Sequence, residues 1–168
     1  TGTFTYDPGF MSTASCRSAI TYIDGDAGVL QYRGYPIEQL AKHSNFSEVS
    51  YLLMNGNLPD KAELSKFEHE VTHHSMMHEA FRTFLYGFRH DAHPMAMMTG
   101  MLGSLAAFYH SDLNLDDPEA RRMAAIRLLA KVPTIAAACY RYSIGWPIRY
   151  PKNNLEYVDR FLHMMFEV

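Results

Sequence analysis

Signals that begin and end helices follow one another along most of this sequence, and they restrict the chain to a mainly helical fold. Asn45, with Glu48 three residues later, forms a capping box at one helix start, and Gly56 ends the same helix. Asp117 followed by Pro118 marks another start, because Asp caps helices and Pro is favoured at the first helical position. Together, these signals and the apolar spacing predict helices over residues 37–42, 46–54, 61–74, 79–88, 94–108, 118–131 and 133–142, and from about 155 onward.

The beginning of the chain carries strand signals instead. Residues 19–23 and 29–32 are rich in β-forming side chains, and the segment 24–28 between them has turn chemistry. These features predict a hairpin, so the fold class is mainly α with a small N-terminal β-hairpin. The predicted organisation is a hairpin region over 1–36 and a helical region over 37–168.

Charge and cysteine content narrow the class of protein. A net charge of −3 provides no basic surplus, so we expect no nucleic-acid partner. Cys16 and Cys139 are far apart and suit reduced, packed thiols, which predicts a cytoplasmic location. The longest apolar stretch, Pro94–Phe108, is shorter than the roughly 20 residues that span a bilayer, so no membrane association is expected.

The two ends suggest that the sequence is part of a longer protein. Thr1 is not an initiator methionine, and residues 159–166 are still apolar with helical spacing, with no stop signal after them. No motif in the sequence assembles a nucleophile, a base and an oxyanion donor, so we expect a piece that stops before any complete catalytic constellation.

Residues 69–73 spell H-E-x-x-H on a predicted helix, which is the zinc peptidase pattern. That chemistry places His69 and His73 on one helical face as zinc ligands, with Glu70 as general base. A third ligand is also required, and the extended pattern needs Gly at 76 and His at 79, where this chain has Met76 and Glu79. The zinc peptidase therefore remains a minor alternative, and we expect no metal site.

Arg127 and Lys131 lie four residues apart on a predicted helix, so both cations project from the same face. With residues 73–75 and Tyr109 nearby, they could hold the phosphates of a nucleotide. The alternative is a solvated helix face, with Lys131 complementing the dipole at the helix C-terminus. Spacing alone favours the solvated face, because cationic pairs of this kind are common on helix surfaces.

Several sequence blocks, taken together and in order, resemble citrate synthase, in particular the hexameric, NADH-sensitive type of Gram-negative bacteria (type II). The blocks are residues 4–10 (FTYDPGF), 12–16 (STASC), 20–26 (ITYIDGD), 33–37 (RGYPI), 93–96 (HPMA), 106–110 (AAFYH) and 140–145 (YRYSIG). The resemblance implies that residues 1–168 are part of the multi-helical large domain, from the first half of a longer protein.

The resemblance also implies an activity and its partners. Citrate synthases condense acetyl-CoA with oxaloacetate to give citrate and CoA in the tricarboxylic acid cycle, using two histidines and an aspartate, without a cofactor for catalysis. Those motifs lie C-terminal to this segment, and none of the nine histidines here occupies them. We therefore expect no catalytic residue in this chain, no turnover by the isolated segment, and assembly of the intact enzyme into dimers and a hexamer.

In the NADH-inhibited type, the allosteric nucleotide site is built from the segment covered here. The positions that match are His74, Ser75, Met76, Tyr109, Arg127, Lys131 and Asn153. Two positions depart from the pattern, because His73 stands where an arginine is expected and Trp146 where a glutamine is expected. NADH is thus the expected inhibitor, with weakened or pH-shifted binding. A module that only binds adenine nucleotides or mediates subunit contacts is the alternative.

Overall fold

A computed structural model describes residues 6–14, 16–112, 114 and 116–166. Parts of the first two blocks of resemblance, at residues 4, 5 and 15, lie outside the described residues, as do residues 167 and 168. The chain forms two compact units, Thr1–Pro59 and Asp60–Val168.

The first unit contains a small antiparallel sheet. Its strands are β1 (Thr21–Asp24), β2 (Val29–Tyr32) and β3 (Tyr35–Pro36), in that spatial order. The turn between β1 and β2 is closed by the Asp24 carboxylate, which accepts a hydrogen bond from the backbone N–H of Ala27 at 2.9 Å. The predicted hairpin is confirmed, and the short third strand extends it.

Two helices complete this unit, α1 (Ile37–His43) and α2 (Phe46–Asn55). The capping box at the start of α2 is present in full, since the side chain of Asn45 accepts from Glu48 N–H and the side chain of Glu48 accepts from Asn45 N–H. Gly56 ends α2 at φ 97°, the left-handed conformation that glycine adopts without steric cost. These local signals made α2 predictable to within one residue.

Arg33 occupies a strained backbone conformation in the turn from β2 to β3. It has φ 51°, and Gly34 beside it has φ 87°, as in the primed turns that join antiparallel strands. A non-glycine residue in this region is unusual. The Arg33 guanidinium donates to the carbonyl oxygen of Leu53 on α2, at 2.7 Å from Nη2, which holds the turn in place.

The second unit is helical and is built around one long helix. Its elements are α3 (Lys61–His73), α4 (Ala80–Leu85), α5 (Pro94–Phe108), a 3₁₀ turn (His110–Asp112), α6 (Pro118–Ser143) and α7 (Tyr157–Phe166). Helix α6 packs against α3, α5 and α7. The mainly α fold class with a small N-terminal sheet is confirmed.

The core of this unit forms where α5 meets α6. Met97 and Met101 of α5 pack with Ile135 and Cys139 of α6, and all four are almost completely buried. Burial raises the pKa of the Cys139 thiol to about 11. Cys16 in the first unit is exposed, so the expectation of packed thiols is correct only for Cys139.

Helix α6 corrects the prediction of two helices separated near Lys131. It runs unbroken through Pro133, although proline inside a helix removes one backbone hydrogen bond. The carbonyl that loses its partner is that of Leu129, four residues earlier. The hydroxyl of Tyr157, on α7, donates to this carbonyl at 2.8 Å. A contact distant in sequence therefore replaces the missing bond and allows the helix to continue.

As one helix, α6 is long and apolar enough by composition to cross a membrane. The sequence prediction divided it into two shorter helices, neither of which has that length. In the protein, 44% of its most apolar window is buried. Its packing against three other helices accounts for this composition, as expected for the central helix of a core.

Candidate functional site

Three of the predicted site residues meet between α5 and α6. The guanidinium carbon of Arg127 lies 4.5 Å from the centroid of the Tyr109 ring, and the ammonium nitrogen of Lys131 lies 5.6 Å from it. Tyr109 directly follows α5, while the two cations lie one turn apart on α6, so the packing of these helices creates the group. We call Tyr109, Arg127 and Lys131 the cation cluster.

Lys131 is buried, which contradicts the interpretation of a solvated helix face. Its side chain is only 3% exposed, and it lies in the middle of α6 rather than at its end. The ammonium donates to the carbonyl oxygens of His74, at 2.8 Å, and Met76. A buried charge requires such partners. Within the described residues, no carboxylate lies within ion-pair distance of it.

The segment that follows α3 is fixed to α6 by these bonds and by one more. Ser75 is 1% exposed, and its carbonyl accepts from the hydroxyl of Thr134, one turn beyond Lys131, at 2.9 Å. The Ser75 hydroxyl donates to the Thr72 carbonyl at 2.7 Å. Thr134 was not predicted as a site residue. Its spacing from Lys131 is visible in the sequence, but its partner is a distant backbone carbonyl.

The electrostatics of this region favour an anion. Burial lowers the pKa of His74, and the charges of Arg127 and Lys131 lower it further. Glu70 raises the pKa of His74, but by less than either cation lowers it, which indicates a positive local potential at this ring.

A cavity of about 180 Å³ lies beside the cation cluster. The cluster supplies its polar groups, and the rest of its wall comes from apolar residues of α5 and α6: Leu102, Leu105, Ala106, Ala124 and Leu128. Typical pockets for small ligands measure about 300–1,000 Å³. This cavity therefore has room for one ring or one phosphate group, but not for a whole dinucleotide.

The other predicted positions lie at the edge of the group or apart from it. Met76 contributes its backbone carbonyl to Lys131, while its side chain is 47% exposed. Asn153 is exposed in the loop before α7, and no hydrogen bond joins it to the cation cluster in the part of the chain that the structure describes. Trp146, one of the two departures from the family pattern, is half-exposed, and the centroid of its ring lies 5.2 Å from the guanidinium carbon of Arg141.

The H-E-x-x-H residues are arranged differently from a zinc peptidase site. Glu70 forms an ion pair with Arg122 at 2.9 Å, and Arg122 also bonds Glu119. A carboxylate engaged in this way is not positioned as a general base. Among the described residues, no group of three or more His, Cys, Asp or Glu side chains could hold a metal ion.

Comparison with known proteins identifies the family. The model of the family described as citrate synthase, C-terminal domain, matches residues 9–168 of this chain. The chain belongs to the citrate synthase family. The general resemblance seen in the sequence is therefore confirmed.

Solved citrate synthases share both the fold and part of the sequence. The enzyme of Thermotoga maritima MSB8 is 32% identical with a TM-score of 0.83, over 98% of this chain and 42% of its own. The enzyme of Pyrobaculum aerophilum is 31% identical with a TM-score of 0.84, and the match covers 100% of this chain and 45% of that enzyme. The third is the enzyme of Thermoplasma acidophilum, solved in a ternary complex with carboxymethyl coenzyme A and oxaloacetate. It is 25% identical with a TM-score of 0.84, and the match covers 93% of this chain and 41% of that enzyme. The chain thus spans less than half the length of these structures.

Proposed function

We propose that this chain is part of an enzyme that condenses acetyl-CoA with oxaloacetate to give citrate and CoA. The observation that carries the proposal is the family match over residues 9–168, together with the likeness of fold to solved citrate synthases. The Thermoplasma structure supports the choice of substrates, since that protein holds a coenzyme A derivative and oxaloacetate. The test is citrate formation from both substrates by the protein expressed from its whole gene. Absence of citrate from a folded product would refute the activity.

Within that enzyme, we assign residues 1–168 a structural and regulatory role and no catalytic residue. The isolated 168-residue chain should therefore release no CoA from acetyl-CoA when oxaloacetate is added. The measurement is thiol release that requires both substrates, with an active citrate synthase as positive control. Release above background would show that catalytic groups lie within this chain.

For the regulatory part, we propose that the cation cluster holds a phosphate-bearing end of NADH, the allosteric inhibitor of the type II enzymes. The Arg127 guanidinium offers a planar fork to a phosphate, and the Tyr109 ring packs against it. An ammonium has three N–H donors, and the two carbonyls take two of those of Lys131. The third is left for an anion at the cavity.

The size of the cavity limits how much of the nucleotide it encloses. At about 180 Å³ it accommodates one phosphate or one ring, so the rest of an NADH molecule would lie outside it. His73 and Trp146 would meet that outer part, if it follows the family pattern. We therefore expect weaker NADH binding than in type II enzymes that have arginine and glutamine there. The type II assignment, the homo-oligomeric state and the cytoplasmic location belong to this same proposal.

A titration with NADH and with AMP tests the site directly. Arg127→Ala should weaken binding roughly 10- to 100-fold, because a hydrogen bond to a charged group contributes about 1.5–3 kcal/mol. Arg121→Ala is the matched control, an exposed arginine on the same helix. Equal binding by both variants would remove Arg127 from the site. Binding of AMP and NADH with the same affinity would favour the alternative, a module that recognises adenine nucleotides in general.

A further inference from the structure

The two histidines of the H-E-x-x-H string lie side by side on the surface of α3. Their ring centroids are 3.8 Å apart, with 33° between the ring planes, and both side chains are exposed. Two nitrogens bound to one transition-metal ion lie roughly 3 Å apart, since each metal–nitrogen bond is about 2.0–2.1 Å. Residues four apart share one face of a helix, so rotation of the exposed His69 ring away from its present stacked position can bring one of its nitrogens to that spacing from a nitrogen of His73. This movement requires no change in the helix itself.

The tautomer of His73 is fixed by its backbone contact. Its Nδ1 lies 2.8 Å from the carbonyl oxygen of His69, which can only accept a hydrogen bond. Nδ1 of His73 must therefore carry the proton, and in the neutral ring the lone pair is on Nε2. Metal-binding histidines are commonly oriented in this way, with one nitrogen donating to a carbonyl and the other binding the ion.

Glu70 does not belong to the ligand set, because its carboxylate pairs with Arg122. No third His, Cys, Asp or Glu joins the pair in the described part of the chain. Water would therefore fill the remaining coordination positions of any ion bound here. Such a site is open and exchangeable, unlike the closed sites of structural zinc.

We propose that His69 and His73 form a two-histidine surface site for a divalent transition ion. Imidazole nitrogens suit copper, nickel and zinc, and the general order of affinities places Cu²⁺ above Ni²⁺ and Zn²⁺. The ion joins two residues one helical turn apart, so it stabilises the C-terminal part of α3. This site does not depend on the proposed nucleotide site or on citrate synthase activity.

The experiment is calorimetric titration of the purified protein with Ni²⁺, followed by EDTA. We expect one ion per chain at this site, a rise in the melting temperature on addition of Ni²⁺ and its reversal by EDTA. His69→Ala and His73→Ala should each weaken binding at least tenfold. Both positions are exposed on a helix and alanine is a good helix former, so these variants should fold, which far-UV circular dichroism verifies.

Two further variants make the result decisive. His43→Ala, at an exposed histidine in the first unit, should leave Ni²⁺ affinity unchanged, and so should Glu70→Gln. The proposal is overturned if the wild type binds no Ni²⁺, or if only one of the two histidines matters, since a chelate needs both. Loss of binding in Glu70→Gln would also overturn it, by making the carboxylate a ligand.

Discussion

The hydroxyl of Tyr157 should be required for the continuity of α6. It donates to the carbonyl of Leu129, whose usual partner is absent because Pro133 has no N–H. Burial raises the pKa of Tyr157 to about 12, so the hydroxyl keeps its proton near neutral pH and remains a donor. Phenylalanine at this position preserves the ring and removes the hydroxyl that makes this bond.

The expected loss follows from leaving the Leu129 carbonyl unpaired inside the protein. An unsatisfied buried acceptor costs about 1–3 kcal/mol, and partial access of water reduces that, so we expect Tyr157→Phe to lower the free energy of unfolding by about 1–2 kcal/mol. For a chain of this size, this corresponds to a fall of roughly 2–8 °C in the melting temperature.

A double-mutant cycle in urea, followed by circular dichroism, isolates the effect. Pro133→Ala supplies the missing N–H, so in that background Tyr157→Phe should cost less than about 0.5 kcal/mol. Tyr150→Phe is the control, because its hydroxyl bonds Glu79 and its cost should not depend on residue 133. If Tyr157→Phe costs the same in both backgrounds, the hydroxyl does not compensate for the proline.

Three further changes test other parts of the structure. Lys131→Met should lower the free energy of unfolding by about 2–4 kcal/mol in urea denaturation, because the carbonyls of His74 and Met76 lose their donor. Gly56→Ala should cost about 1–2 kcal/mol by the same measurement, because φ is 97° there, whereas Gly25→Ala should be nearly neutral. Burial lowers the pKa of His74 below its ordinary value of 6.5, so protonation favours the unfolded chain and stability should fall as pH drops below that value. His74→Gln should reduce this loss between about pH 7 and pH 5, and an unchanged pH profile would contradict the assignment.

Elements marked by local chemistry could be predicted closely from the sequence. The Asn45 capping box and Gly56 define α2, and the bounds of α5, Pro94–Phe108, agree with the prediction. In these cases the bonds that start or stop the helix are made by residues within one turn of its end. The pattern in the sequence is then the physical cause of the boundary.

The burial of Lys131 and the continuity of α6 could not be predicted in this way. Lys131 and His74 are 57 residues apart in sequence, and the bond uses a backbone carbonyl, which has no side-chain signature. The partner of the Leu129 carbonyl is likewise on another helix. Residue chemistry and the family resemblance both grouped Tyr109 with Arg127, but no spacing along the sequence shows that the two side chains are in contact. The candidate site is shaped by contacts between residues that are distant in sequence. Residue spacing along one helix does not predict such contacts.

Trp146 gives the second compact unit a fluorescence signal of its own. It is the single tryptophan of the chain and belongs to Asp60–Val168, where its ring lies near the Arg141 guanidinium. Indole emission on denaturation therefore reports the melting of that unit alone, whereas far-UV ellipticity sums the helices of both. The separation between the two curves would measure how strongly the units cooperate in folding.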